Sequence, residues 1–304
     1  MSANSDSVKS IFYALFANLA IAVAKGLAAF WTGSGAMLAE AIHSLADSCN
    51  QLLLLFGIRQ SRRPPDMDYP LGYGKSIYFW SFLVAVILFS LGGMFSIYEG
   101  VHKFTHPEML SKPIIAIAVL VFAIITESLS LWGCMHAVNK ERFGRSLPQW
   151  FRESRSSELL VVFGEDIAAL LGLGVALLAV LASAITGNPV YDAIGTVVIG
   201  ILLVLIAFLM AIEVKALLIG QSVEPHVQEQ MSAFLKDRPE IDHLYNLLTL
   251  QMGPDAMVAV KANMRRTGSE NELINAINRV ERDFREAFPV TTWLFFEPDI
   301  KDDD

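Results

Sequence analysis

The chain has 304 residues, of which 54% are hydrophobic and only 18% charged, and its formal net charge is -8. With a mean hydropathy of +0.46, it lacks the polar surface that a water-soluble protein of this length requires, and its apolar runs approach the roughly 20 residues needed to cross a bilayer. The acids gather in the C-terminal third, which argues against a nucleic-acid partner, and the two cysteines, Cys49 and Cys134, supply neither a disulfide framework nor a CxxC pair.

Six spans are expected in chain order. The polar lead Met1 to Ser7 has no signal-peptide pattern and runs directly into the first span, about Val8 to Trp31. That span contains Asn18 and Lys25, and Lys25 is expected to snorkel to the far interface. The turn Thr32-Gly33-Ser34-Gly35 returns the chain into a second span, Ala36 to about Ile58. A basic, proline- and glycine-rich stretch from Arg59 to Lys75 reads as an aqueous loop. The third span covers about Ile77 to Gly100, with Gly92-Gly93 as a close-packing site. The fourth covers about Pro113 to Val138 with Glu127 inside it.

Between Asn139 and Arg155 lies a loop whose Arg142, Arg145, Arg152 and Arg155 are expected to set topology and meet anionic headgroups. The fifth span, about Ser157 to Ile185, and the sixth, about Val190 to Leu218, are joined by the turn Thr186-Gly187-Asn188-Pro189. Because Lys and Arg concentrate in the loops after the second and fourth spans, both termini are expected on the cytoplasmic side.

From residue 220 the composition changes. Pro225 opens a helix with an apolar face of Val227, Met231, Phe234 and Leu235, and strands are expected at Leu244 to Met252 and Met257 to Met264. Ser269 and Glu272 form a capping box before a second amphipathic helix carrying Leu273, Ile277, Val280 and Phe284, and a strand at about Val290 to Phe296 follows. The fold class is therefore a membrane all-α six-helix transmembrane bundle, residues 1–219, with a C-terminal α+β cytoplasmic domain, residues 220–304, of ferredoxin-like or metallochaperone-like order.

Two stretches carry the chemistry. The second span holds Glu40, His43, Asp47 and Asn50, and the fifth holds Glu165 and Asp166. His43 and Asp47 stand one helical turn apart on one face, a spacing that suits two ligands of one metal ion. Charged groups in hydrocarbon are costly and normally face a bundle interior and a partner, so the two stretches are expected to face each other around a divalent cation. Glu40 and Asn50 are pathway candidates, although Asn50 also suits a helix-to-helix hydrogen bond, and Glu127 is a candidate partner of Lys25. Cys49, two residues from Asp47, reads as a small buried hydrophobe.

The run Ser34-Gly35-Ala36-Met37-Leu38-Ala39-Glu40-Ala41-Ile42-His43-Ser44-Leu45-Ala46-Asp47, preceded by Asn18 and Lys25-Gly26, resembles the signature of the cation diffusion facilitators, the zinc transporter family. Glu153-Ser154-Arg155, Glu165-Asp166-Ile167-Ala168-Ala169 and Thr186 to Asp192 resemble the branch that contains zinc transporter nine. The resemblance implies a homodimer that exchanges a divalent cation for protons by alternating access. It also implies a tetrahedral site with His43 and Asp47 on the second span and Asp166 on the fifth. The family's histidine four residues before Asp166 is here Val162, and the adjacent Glu165 is the candidate replacement.

Departures extend to the periphery. Where family members carry an aspartate and two histidines after the second span, this chain has Asp66, Tyr69 and Tyr73, and Lys261 and Phe295 occupy two histidine positions of the C-terminal domain. One imidazole and two or three carboxylates suit Zn(II) and also accept Mn(II), Fe(II) or Co(II). The ion is expected as transported substrate and not as a cofactor, with the lipid bilayer of a bacterial inner membrane or an organelle around the protein. A transport-inactive scaffold of the same fold is the competing expectation. No HExxH motif or serine, histidine and acid arrangement points to an enzyme.

Overall fold

The computed structural model describes residues 19–107, 109 and 112–301. Asn18 and the polar lead lie outside them. The chain forms two compact units: residues 19–58, 79–145 and 158–214 make the first, and residues 59–78, 146–157 and 215–301 make the second.

The first unit is helical. The described part of α1 is Leu19–Thr32, and α2 is Gly35–Ser61. Helix α3 runs Ser76–Thr105, α4 Pro113–Glu141, α6 Ser157–Thr186 and α7 Val190–Ile219. These last four are long and apolar enough to cross a membrane. Helix α2 falls outside that group because of its polar stripe. Its buried residues include Glu40, His43, Ser44, Asp47 and Asn50, whereas Leu45, Cys49, Leu52 and Phe56 are exposed on the opposite side. Polar groups inward and apolar groups outward is the reverse of a soluble amphipathic helix, and it is what a lipid surround requires. Cys49 is thus on the outward face, not in the core, which corrects the expectation drawn from its apolar neighbours.

Helices α3 and α7 approach through glycines. A Cβ on Gly93 would stand 2.5 Å from Val204 Cγ2, and one on Gly100 would stand 2.8 Å from the Val197 amide nitrogen. The Gly92-Gly93 pair is therefore a packing device, and around it residues Leu88–Met94 widen into a π-helical stretch.

In the second unit, α5 (Leu147–Glu153) is a short helix inside what the sequence presents as a basic loop. Ser146 caps it by accepting from the Gln149 amide at 3.4 Å, and Pro148 sits in its first turn. Helix α8 (Pro225–Lys236), strands β1 (Ile241–Met252) and β2 (Asp255–Met264), helix α9 (Glu270–Ala287) and strand β3 (Thr291–Pro298) follow in the expected order. The sheet order is β1-β2-β3, with β1 and β2 antiparallel and β2 and β3 parallel. A parallel pair needs a long crossover, which the α9 helix provides. Alternate β2 residues Ala256, Val258, Val260, Ala262 and Met264 pack against Val280 and Phe284 of α9 and Met231 and Leu235 of α8. Ser269 accepts from the Glu272 amide at 3.4 Å, and Glu272 in turn accepts from the Gly268 amide at 2.7 Å, so a reciprocal cap opens α9.

The same unit ties its loops to the sheet. The Gly253 amide donates to the Tyr78 hydroxyl at 2.9 Å, and Gly74 lies so close to Met252 that a Cβ there would overlap its carbonyl oxygen. Arg155 is buried and donates through Nε to the Ser222 carbonyl at 2.7 Å and through Nη1 to the Glu153 carbonyl at 2.7 Å. In the first unit, half-buried Arg145 donates to the carbonyls of Arg142 and Glu141. Arg155 is spent on backbone carbonyls in the interior, so the expectation that it meets lipid headgroups is corrected for that residue.

Candidate metal centre

Helix α2 places its polar side chains in a single stripe by the spacing 40, 43, 47, 50, three or four residues apart and hence one above another. At the head of the stripe, Lys25 of α1 donates to Glu40 Oε2 at 3.2 Å and to Ser44 Oγ at 2.6 Å, and neither the Lys25 nor the Glu40 side chain is exposed. Lys25 therefore does not snorkel, and its hydrogen bonds go to α2 and not to Glu127. Gly172 of α6 makes room for this pair, because a Cβ there would collide with Glu40 Oε1.

His43 is fully buried, and neither ring nitrogen has a hydrogen bond among the described residues. Its Nδ1 is 3.5 Å from Asp47 Oδ1, so the two expected second-span ligands are side by side. Asn50 reaches across to α6, donating through Nδ2 to Glu165 Oε1 at 2.5 Å. Asp166 faces another neighbour: its Oδ1 accepts from Ser130 Oγ of α4 at 3.1 Å. The consecutive acids Glu165 and Asp166, about 100° apart around α6, are thus held by different helices.

The structure brings together His43 with Asp47 and Asn50 with Glu165. Among the described residues, no three His, Cys, Asp or Glu side chains converge closely enough to hold one ion. Unsatisfied polar atoms nevertheless concentrate here: Glu40 Oε1, both His43 nitrogens, Asp47 Oδ1, Asn50 Oδ1 and Asp166 Oδ2 are buried with no hydrogen-bond partner among the described residues. Buried polar atoms without partners cost roughly 1–3 kcal/mol each, so such a cluster calls for a proton, a water or a cation.

The peripheral positions have other occupations. Asp66 Oδ2 accepts from the Tyr73 hydroxyl at 2.6 Å, and its Oδ1 accepts from the Tyr69 amide at 2.8 Å. The Tyr69 and Tyr73 rings pack with centroids 4.4 Å apart. The Tyr73 hydrogen bond, followed by the Tyr69 amide, holds the Asp66 carboxyl below its usual range, and the same carboxylate pushes the Tyr73 phenol up to about 12. In the C-terminal domain Lys261 pairs with Asp299 at 3.4 Å, and Phe295 is exposed.

Two features were missed by sequence reasoning. Ser130, the α4 partner of Asp166, looks like an ordinary helix serine, and only its position in an otherwise apolar span could have singled it out. Asp192 accepts from Ser34 Oγ at 2.6 Å and from the Gly35 amide at 2.7 Å, so α7 caps the start of α2. Lys103 of α3 lies 3.7 Å from Asp192 Oδ2 and also donates to the Gly33 carbonyl. An aspartate just inside a helix start and a serine-glycine turn are each common, and no sequence signal pairs them.

A bundle that sequesters its charges, turns its apolar residues outward and is followed by a small α+β domain defines a multi-pass membrane protein with a polar interior. The profile of the cation efflux transmembrane domain matches residues 11–219, and the chain belongs to that family, the cation diffusion facilitators. It is 34% identical over 232 residues to the mitochondrial proton-coupled zinc antiporter SLC30A9 of Homo sapiens, a stretch that is 75% of this chain and 41% of that protein. It is 30% identical over 281 residues to metal tolerance protein C4 of Arabidopsis thaliana, covering 88% of this chain and 61% of the relative. With the zinc transporter ZitB of Escherichia coli it shares 21% identity over 294 residues, covering 96% and 89%. The chain thus spans less than half the length of the human relative.

Proposed function

We propose that the protein is a secondary-active divalent cation transporter that exchanges Zn(II) for protons by alternating access, with His43, Asp47, Asp166 and Glu165 as the ligands of the ion in transit. The observation that carries this reading is the buried, unpartnered set His43, Asp47 and Asp166 Oδ2 inside the bundle, in a chain similar to a protein named as a proton-coupled zinc antiporter. Metal binding requires the imidazole lone pair and ionised carboxylates, and protons compete for the same atoms, so cation and protons replace each other at one place. Asn50 and Ser130 hold Glu165 and Asp166 apart. In our reading, a shift of α6 along α2 releases these acids toward His43 and Asp47 and assembles the tetrahedral shell, which couples binding to the conformational change.

Under the same proposal the chain is a homodimer with both termini on the cytoplasmic side, residues 1–219 form the transport domain and residues 220–304 the cytoplasmic domain. Mn(II), Fe(II) and Co(II) are the other ions this ligand set accepts. The test is uptake of Zn(II) by proteoliposomes holding the full chain under an imposed pH gradient. Uptake that Asp47→Ala and Asp166→Ala each abolish is the expected result. A second reading, a transport-inactive scaffold, is favoured by Val162 at the histidine position and by the hydrogen-bonded Asp66 and Tyr73. Intact protein that neither binds nor moves any divalent ion would establish that second reading.

A further inference from the structure

His102 in the last turn of α3 and His106, the residue just past its end, are both exposed, and the central site does not use them. They are four residues apart, the His106 amide donates to the His102 carbonyl at 3.0 Å, and their rings stack with centroids 4.8 Å apart and planes 21° from parallel. Two histidines four residues apart and joined by this helix-ending hydrogen bond can share a transition metal, as an i, i+4 pair within a helix does. A pair of solvated rings would stop there, but Thr105 fixes the chemistry of one of them.

The Thr105 hydroxyl is 2.8 Å from the His102 carbonyl oxygen, to which it donates its only proton. Its oxygen is also 2.9 Å from His106 Nδ1. With the hydroxyl proton already committed, the Nδ1–H of His106 must be the donor in that contact, which leaves Nε2 as the ring's lone pair. A second hydrogen-bonding group that sets the tautomer of a histidine is the arrangement that supports metal ligands. The nearest cation on this turn, Lys103, points elsewhere: its Nζ is taken by the Gly33 carbonyl and lies 3.7 Å from Asp192, so it does not oppose a second positive charge. Lys103 also fixes the location, since its contacts put this turn at the end of the bundle where α1 turns into α2.

We propose that His102 and His106 form a peripheral, water-completed site for a divalent transition cation such as Zn(II), held through two imidazole nitrogens at the end of the bundle that carries the α1–α2 turn. The His106 ring keeps its hydrogen bond to Thr105 and offers Nε2, rotation of the exposed His102 side chain brings one of its nitrogens to the same ion, and water completes the shell. The site stands apart from His43 and Asp47, so its fate is separable from that of the proposed transport site.

Equilibrium dialysis of the detergent-solubilised full chain against Zn(II), in a His43→Ala/Asp47→Ala background, counts the ions held elsewhere. Adding His102→Ala and His106→Ala is expected to remove one equivalent per chain, and Thr105→Val is expected to weaken that equivalent roughly tenfold. An unchanged count would overturn the proposal. Should the background variants lose monodispersity, carbethoxylation of the wild-type chain read by mass spectrometry decides instead. Slower modification at His102 and His106 when Zn(II) is present supports the site, and equal rates with and without Zn(II) refute it.

Discussion

The buried pair of Lys25 and Glu40 offers the sharpest test of how the bundle is held. Both side chains are wholly removed from solvent, 3.2 Å apart, and Lys25 has one further partner in Ser44. Removing one member of a buried pair leaves the other charge uncompensated, at a cost of about 3–5 kcal/mol, whereas replacing both with apolar side chains of similar volume is close to neutral or stabilising. Lys25→Met alone and Glu40→Met alone should each lower stability by that amount, or roughly two to four orders of magnitude in the unfolding equilibrium. Lys25→Met with Glu40→Met should recover most of it, so that in a double-mutant cycle the double variant falls far short of the sum of the two singles. Gly172→Ala provides an independent push, because its methyl group would displace Glu40 Oε1 and strain the same pair. Tryptophan-fluorescence unfolding of the detergent-solubilised chain measures all four variants. A single Lys25→Met variant as stable as the wild type, or a double variant as poor as the sum of the singles, would show that the ion pair does not hold α1 to α2.

The helix-to-helix contact at Gly93 should be intolerant, since a Cβ would stand 2.5 Å from Val204 Cγ2, whereas Gly133, with nothing within 4 Å of its Cβ position, should accept alanine. Gly93→Ala is expected to lower the unfolding temperature and Gly133→Ala to leave it unchanged or raise it through improved helix propensity, and equal effects in the same thermal assay would refute the packing argument. The bond between Tyr73 and Asp66 has a defined pH window. Asp66, held below its usual range, contributes stability above its unfolded value that is lost as pH falls through the folded one. Tyr73, pushed up to about 12, contributes below the phenol's ordinary value of 10.0, and that contribution is lost as pH rises through its folded one. Asp66→Asn should therefore bring the Tyr73 phenol back toward 10, read as tyrosinate absorbance, and an unmoved titration would dissolve the assignment. In the second unit, Gly74→Ala should open the loop against Met252 and speed proteolysis between Arg59 and Lys75, while unchanged cleavage would mean that the loop is held elsewhere.

The stripe on α2 was legible in the sequence because Glu40, His43, Asp47 and Asn50 are polar residues three or four apart in an apolar run, and leaving them in lipid would be expensive. The C-terminal elements were equally legible, since capping at Ser269 and alternation along Ala256 to Met264 are local properties of a water-soluble fold. Rotation within the bundle was not legible. In a membrane helix the apolar residues line both the packed interior and the lipid face, so hydrophobic periodicity cannot tell which way Cys49 points or which neighbour receives Lys25. For the same reason the sequence could place Glu165 beside Asp166 but could not show that Asn50 would hold one and Ser130 the other. Helix α5 and the burial of Arg155 were hidden by the run of arginines around them, whose charge outweighed the capping signal of Ser146 and Pro148.

The π-helical stretch Leu88–Met94 gives α3 one residue more than a continuous α-helix would carry over the same length, and each residue advances the helix by about 100°. Everything downstream is therefore turned by that angle relative to the part preceding it. Lys103 meets Gly33 and Asp192 only in this rotated setting. Losing a single residue from the widened turn would straighten the rod, swing Lys103 away from its acceptors and carry His102 and His106 to a different side of the bundle. A one-residue deletion there would act as a phase change along the helix, felt at the far end and not at the place where it was made.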